Sequence, residues 1–160
     1  MNNEFEQISL EPGFMKHNGG VLFKTISENE YQFKTIIKEN HLNAAHITHG
    51  GFIAALVDAG AGAAAHRSAD GRSCVTISLE LKFISSVQLG QELIGKTKIQ
   101  KKTKSLVFLS CILTAANKIK MYFNKPEIVK KKKTFIKKSL TQFSPNKSLN
   151  TYYKVVDNLL

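Results

Sequence analysis

The chain has 160 residues, enough for one domain with a sizeable core, and its 42% hydrophobic content is that of an ordinary globular protein. No apolar run reaches the roughly 18 residues a membrane-spanning helix needs. The formal net charge of +11 is unevenly placed: residues 1–115 hold 12 Lys/Arg against 10 Asp/Glu, and residues 116–160 hold 11 against 2. Any argument for nucleic acid or an anionic membrane therefore belongs to the C-terminal part alone, and none is expected from the body. The acidic start MNNEFEQISLEPG lacks the basic-then-apolar order of a secretory signal. Two cysteines, Cys74 and Cys111, without metal-ligand spacing suit small core positions in a reducing compartment, so a cytoplasmic location is expected.

Residues 1–12 read as a lead-in, closed by Pro12-Gly13. Val21–Ile26 and Tyr31–Lys38 read as strands joined by the polar turn Ser27–Glu30; in the second, Tyr31, Phe33, Thr35 and Ile37 alternate with largely polar partners. Glu39–Thr48 reads as a loop, after which Thr48 or His49 can cap a helix from Gly50 to His66. Ser68–Arg72 is a turn. Cys74–Phe83 reads as the clearest strand, with Val75, Ile77, Leu79, Leu81 and Phe83 on one face and Thr76, Ser78, Glu80 and Lys82 on the other. Gly90 breaks before Glu92–Gln100, a weaker strand. Lys101–Lys104 is a basic turn, and Leu106–Leu113, apolar on both faces, belongs in the centre of a sheet. Lys118–Phe123 reads as a last edge strand. One long helix among strands that run in hairpins makes an α+β, mainly antiparallel architecture.

The helix carries one carboxylate, Asp58. Its helical neighbours Ala54, Ala55, Ala61, Gly62 and Ala65 are small and uncharged, whereas Phe52, Leu56, Ala59, Ala63 and His66 mark a separate stripe that suits a core. Gly50 and Gly51 open the helix, where the first N–H groups lack internal partners and can hold an anion. Eight residues at about 1.5 Å rise set Gly50 roughly 12 Å from Asp58 along the axis. A reacting carbonyl needs its oxyanion donor and its base or nucleophile each within about 3 Å. One helix cannot supply both, but two antiparallel helices from a two-fold dimer can.

The ordered set Gly13-Phe14, Gly19-Gly20-Val21, His41-Leu42-Asn43, His49-Gly50-Gly51, Leu56-Val57-Asp58, Thr76–Phe83, Gly90 and Lys101–Leu106 resembles the PaaI-like acyl-CoA thioesterases of the 4-hydroxybenzoyl-CoA thioesterase superfamily. The likeness covers about Glu11 to Ala116. It implies a hotdog fold over residues 13–123, a sheet wrapped around one long central helix, in dimers that many members pair into tetramers. It implies hydrolysis of an acyl-CoA or aryl-CoA thioester to the free acid and coenzyme A, with no cofactor beyond the coenzyme A of the substrate and no metal. By position, Asp58 resembles the catalytic acid, as general base or as nucleophile, and the Gly50 N–H the oxyanion donor. Asn43 and His49 resemble polar groups flanking the thioester, and Thr76 the hydroxyl that holds the attacking water. Gly51, Phe83 and the run Lys101, Lys102, Thr103, Lys104, Ser105 and Leu106 resemble the coenzyme A contacts. Each has a plainer alternative: Asn43 closing its own loop, His49 as a cap, Thr76 as the solvent side of its strand, and the lysines as a solvated turn.

The likeness fades after Ala116. Residues 124–160 form a Lys/Asn-rich tail with a four-lysine run at Lys130–Lys133, in which the sequence shows short amphipathic fragments and disorder-prone composition. A lineage-specific tail and a shift of reading frame near Ala116 both account for it. Two rivals to the hydrolase stand beside it: a non-catalytic acyl-CoA-binding hotdog protein, and a protein whose basic tail binds RNA or anionic lipid.

Overall fold

The computed structural model describes residues 4–123 and the backbone of residues 152–155; the remainder of the expected tail, 124–151 and 156–160, lies outside the described residues. Strand β1 (Glu6–Ile8) precedes a short helix α1 (Phe14–His17), then β2 (Val21–Ser27), β3 (Glu30–Ile36), helix α2 (Gly50–Ser68), β4 (Cys74–Ser78), β5 (Lys82–Phe83), β6 (Glu92–Lys102), β7 (Leu106–Ala115), β8 (Lys118–Phe123) and β9 (Tyr152–Val155). These strands make one antiparallel sheet in the order β1-β2-β3-β6-β7-β8-β5. Strand β9 also pairs with β7, beyond the end of β8, and carries β4 on its far side. The sheet wraps α2, as the α+β reading expects. No helix among the described residues is long and apolar enough to cross a membrane.

Helix α2 sits close to the sheet because its residues are small. Phe33 of β3 is fully buried between Gly60 of α2 and Gly95 of β6. A β-carbon at residue 60 would stand 2.3 Å from the ring, and one at 95 would stand 2.1 Å from it. Only glycine on both sides admits the phenyl group. Around it Phe23, Leu56, Val57, Leu93, Leu109, Leu113 and Met121 are fully buried, each contributing about 1.5–3 kcal/mol of apolar burial. The buried side of α2 is Phe52, Ile53, Leu56, Val57, Gly60, Ala61, Ala64, Ala65 and Ser68. This corrects the expected stripe: His66 is exposed, and Ala61 and Ala65, expected beside Asp58, face the core. The sheet curls around α2, so the covered arc is wider than one heptad stripe and is rotated toward the smallest residues.

Three further expectations change. Cys74–Phe83 is two short strands, because Leu79 and Leu81 both pack on the core and break the alternation between them. Lys118–Phe123 is not an edge: β8 is flanked by β7 and β5. Lys101 and Lys102 end β6, and the turn itself is Thr103–Ser105. The expected pair of strands from Val21 and Tyr31 forms, with Tyr31, Phe33, Thr35 and Ile37 buried. Strand β7 lies inside the sheet, as its apolar run requires, between β6 on one side and β8 and β9 on the other.

The loop from β3 to α2 is fixed by His41. Its imidazole is buried and stacks on Phe52, with ring centroids 3.8 Å apart and planes 11° from parallel. Its Nδ1 accepts from the Lys38 N–H at 3.0 Å, and its Nε2 meets the Asn18 carbonyl at 2.9 Å. An acceptor at Nδ1 and a donor at Nε2 define one neutral tautomer. Burial holds the His41 pKa below the ordinary histidine value, against the opposing pull of the Asn18 carbonyl. The His41 carbonyl accepts the His49 N–H at 2.8 Å, so the start of α2 hangs on this residue.

Candidate functional site

The sequence-predicted residues fall into two groups set along α2. At its N-terminus, His49 is the cap: its Nδ1 accepts the Gly51 N–H at 2.9 Å. A β-carbon at residue 51 would stand 3.0 Å from that nitrogen, so glycine lets the ring reach the backbone. Acceptance at Nδ1 puts the proton of the neutral ring on Nε2, which leaves the exposed edge of His49 as a donor. The Gly51 N–H is thus occupied, whereas that of Gly50 has no acceptor among the described residues. The Gly50 N–H is therefore a donor on the positive end of a 19-residue helix whose first turn contains no acid. Phe83, half-exposed, lies beside Gly50: a β-carbon at residue 50 would meet the Phe83 ring at 3.5 Å.

Asn43 lies in the loop before the cap. Its Oδ1 accepts the Ala45 N–H at 2.9 Å and the Ile47 N–H at 3.4 Å, and its own N–H donates to the Ile47 carbonyl at 2.8 Å. Its carbonyl side is committed to the turn, and its amide NH2 group remains as a donor.

Two helical turns further on, the second group forms. Asp58 is exposed and has no ion-pair partner among the described residues. Its Oδ1 accepts the Thr76 hydroxyl at 2.5 Å. Thr76 therefore lies on the side of β4 that faces α2, and Val75 and Ile77, 41% and 54% exposed, face away. The apolar stripe of this strand points outward, opposite to the direction hydrophobicity alone suggests. Ala54, Ala55 and Gly62 around Asp58 are half-buried, so nothing bulky on the helix shields the carboxylate.

The Lys101–Leu106 segment stands at the other end of α2. The Lys102 ammonium donates to the Ser68 carbonyl at 2.9 Å, closing the C-terminal turn of the helix. The Thr103 hydroxyl accepts the Leu106 N–H at 2.9 Å and the Ser105 N–H at 3.4 Å, which fixes the turn. Lys101 and Lys104 are exposed. The fold thus brings Asp58 to Thr76 and Gly50 to Phe83, but leaves the two pairs apart on one helix, with the lysines beyond Asp58. His41, absent from the sequence-predicted set, holds the N-terminal group in place; its position two residues before Asn43 gave no sign that it is buried. Among the described residues no group of three His, Cys, Asp or Glu side chains is placed to hold a metal. Cys74 and Cys111 are free thiols, and burial pushes Cys111 up to about 12.

The sequence profile of the Thioesterase superfamily matches residues 45–121, the stretch that contains Asp58, Thr76, His49, Gly50 and Phe83 but begins two residues after Asn43. An Archaeoglobus fulgidus protein described as a putative esterase is 25% identical over 95 residues, 59% of this chain and 60% of that one, so the match spans less than two thirds of that relative. The mouse acyl-coenzyme A thioesterase 13 is 27% identical over 103 residues, 64% of this chain and 74% of its own length. The solved structure of the E. coli PaaI protein, from a phenylacetic acid degradation operon, superposes with a TM-score of 0.66 at 12% identity, covering 89% of this chain and 83% of that one. That likeness identifies the architecture as the hotdog fold.

Proposed function

We propose that this protein hydrolyses an acyl-CoA or aryl-CoA thioester to the free acid and coenzyme A, a reading supported by the match of the Thioesterase superfamily profile to residues 45–121. The observation that carries the reading is the Asp58–Thr76 pair: a carboxylate that among the described residues has no cation and is held by one hydroxyl, on a helix face of small residues. The description of the mouse relative as an acyl-coenzyme A thioesterase supports the substrate class.

In the proposed reaction a water oxygen bonds to the thioester carbon, the carbon–sulfur bond breaks, and the thiolate leaves to be protonated. Asp58 takes the proton from that water, oriented by Thr76, or attacks the carbon itself and is released by water. The carbonyl oxygen, negative in the tetrahedral intermediate, receives the free Gly50 N–H at a helix N-terminus. Within one chain these groups are separated by about 12 Å of helix. The site is therefore assembled from two copies, Gly50, His49, Asn43 and Phe83 from one and Asp58 and Thr76 from the other. Two antiparallel copies of α2 also carry the Lys101–Leu106 turn toward the same side as the partner copy's helix N-terminus, where Lys101 and Lys104 suit coenzyme A phosphates. Asp58, water and a backbone N–H suffice for this chemistry without a metal, and two free thiols suit a cytoplasmic setting.

The test is thiol release from a panel of short, long and aromatic acyl-CoA substrates. Asp58→Asn is expected to lower kcat by about 10²–10⁴-fold, the range of a positioned acid or base. Unchanged turnover in that variant rejects the mechanism, and acyl-CoA binding without turnover by the wild-type chain leaves only the binding protein. Mixing Asp58→Asn with Gly50→Pro, which removes the donor at a position where proline fits a helix start, tests the shared site. Random pairing puts one intact site in each mixed dimer and should restore about a quarter of the wild-type rate.

A further inference from the structure

The register of the sheet shows an interrupted strand. On β7, Cys111 faces Phe123 and Phe108 faces Tyr152, in the same antiparallel sense. Only Ser110 and Leu109 lie between those two positions, so an unbroken facing strand needs two residues between Phe123 and Tyr152. The chain has 28 there, residues 124–151, which is 26 more than the register uses. The opposite flank gives the same number independently. Tyr122 faces Lys82 and Tyr152 faces Ser78, so Phe123 and two further residues would fill the places opposite Leu81, Glu80 and Leu79.

We infer that β8 and β9 are two halves of one sheet strand divided by a 26-residue insertion, and that β9 is a positioning element of the Asp58–Thr76 pair. The inference rests on the proposed function only for its catalytic consequence. Its structural basis is that β9 is the single strand with which β4 pairs among the described residues. Thr76 lies opposite Tyr153 in that pairing. Without β9, β4 has no ladder to fix it against α2, and the hydroxyl loses the backbone that aims it at Asp58. Strand β5, by contrast, is held by β8 and does not depend on β9. The C-terminal residues 152–155 thus belong to the catalytic domain, although 28 residues separate them from the rest of it.

Hydrogen exchange tests this without reference to activity. Three chains are compared: the full chain, one ended after Phe123, and one in which residues 124–151 are replaced by two threonines. Amides of β4 should exchange at least about tenfold faster in the shortened chain, while those of β3 and β6 keep their protection, and the two-threonine link should restore β4. Should the shortened chain not fold, shown by loss of β3 and β6 protection, Tyr153→Pro in the full chain takes its place; it removes one ladder N–H opposite Thr76 and should expose β4 selectively. Equal β4 protection in the full and altered chains, or failure of the two-residue link to restore it, overturns the inference. In chains that hydrolyse acyl-CoA, loss of β9 should lower kcat by about the factor that Thr76→Ala does, with KM unchanged, and Thr76→Ala should then cost nothing further. If no chain hydrolyses acyl-CoA, the functional reading fails while the exchange result still decides the role of β9.

Discussion

Strands β3 and β4 carry the same kind of pattern and do opposite things with it. In β3, Tyr31 and Phe33 are 3% and 0% exposed and form the middle of the core; in β4, Val75 and Ile77 are 41% and 54% exposed. Alternation reports that a strand has two faces. It does not report which face meets the helix. Strand β3 lies between β2 and β6 and drives Phe33 between two glycines, so its apolar side has a partner surface at hand. Strand β4 presents Thr76 to α2 instead, where its hydroxyl meets the Asp58 carboxylate. An exposed threonine turned toward the helix, with apolar residues turned away from it, is the departure from local consistency on which the proposed site rests.

That contrast can be broken most sharply at Phe33. Phe33→Ala empties a space whose walls are two glycines and cannot close by rotamer changes, so urea denaturation should show a loss of about 3–5 kcal/mol. A loss under about 1 kcal/mol would mean that β3 is not the anchored strand described. Next in size, Thr76→Ala should leave unfolding nearly unchanged and reduce kcat about tenfold, as expected for a hydroxyl bonded to a charged group near solvent. Thr76→Ser should retain most of the rate; equal losses in the two would assign the residue a packing role.

A smaller effect concerns the loop into which β3 runs. His41 has its pKa lowered in the fold by burial, so the unfolded chain binds a proton near pH 6.5 that the folded chain refuses. Its stabilising contribution is full above pH 6.5 and is lost as pH falls from 6.5 toward the lowered folded value. Melting temperatures should therefore decline through that interval in the wild type and decline less in His41→Phe, which keeps the stack on Phe52. A parallel pH dependence in both chains would show that other groups set the acid limit. The smallest change is expected from Ile77→Thr, within about 0.5 kcal/mol for an exposed position. A larger loss that grows on dilution would show that a second copy covers the outward face of β4.

Much of this was legible in the chain. The hairpin from Val21 to Ile36, the helix beginning at Gly50 behind a His49 cap, the interior position of Leu106–Leu113 and the isolation of Asp58 all follow from local patterns. What misled was direction. Ala61 and Ala65 share a helix face with Asp58 in projection, yet the sheet curls far enough to bury them. The run Val75–Phe83 keeps a clean alternation that the fold breaks at Leu79 and Leu81. His41 belongs to the run His41-Leu42-Asn43 but gave no sign of its burial, because that burial comes from Asn18 and Phe52, which the fold brings to it.

The sequence by itself determined the long helix, the β2–β3 hairpin and strands β6 to β8, with two local features: an acid on a small-residue helix face, and a glycine N–H at the start of that helix. These depend on spacings of a few residues, which backbone geometry fixes. Only the tertiary structure decided which side of β4 meets Asp58, and that the sheet takes up Tyr152–Val155 next to the strand that carries Thr76. Strand pairing joins residues far apart along the chain, and the free energy that selects one register comes from surfaces that exist only once the sheet has closed around the helix.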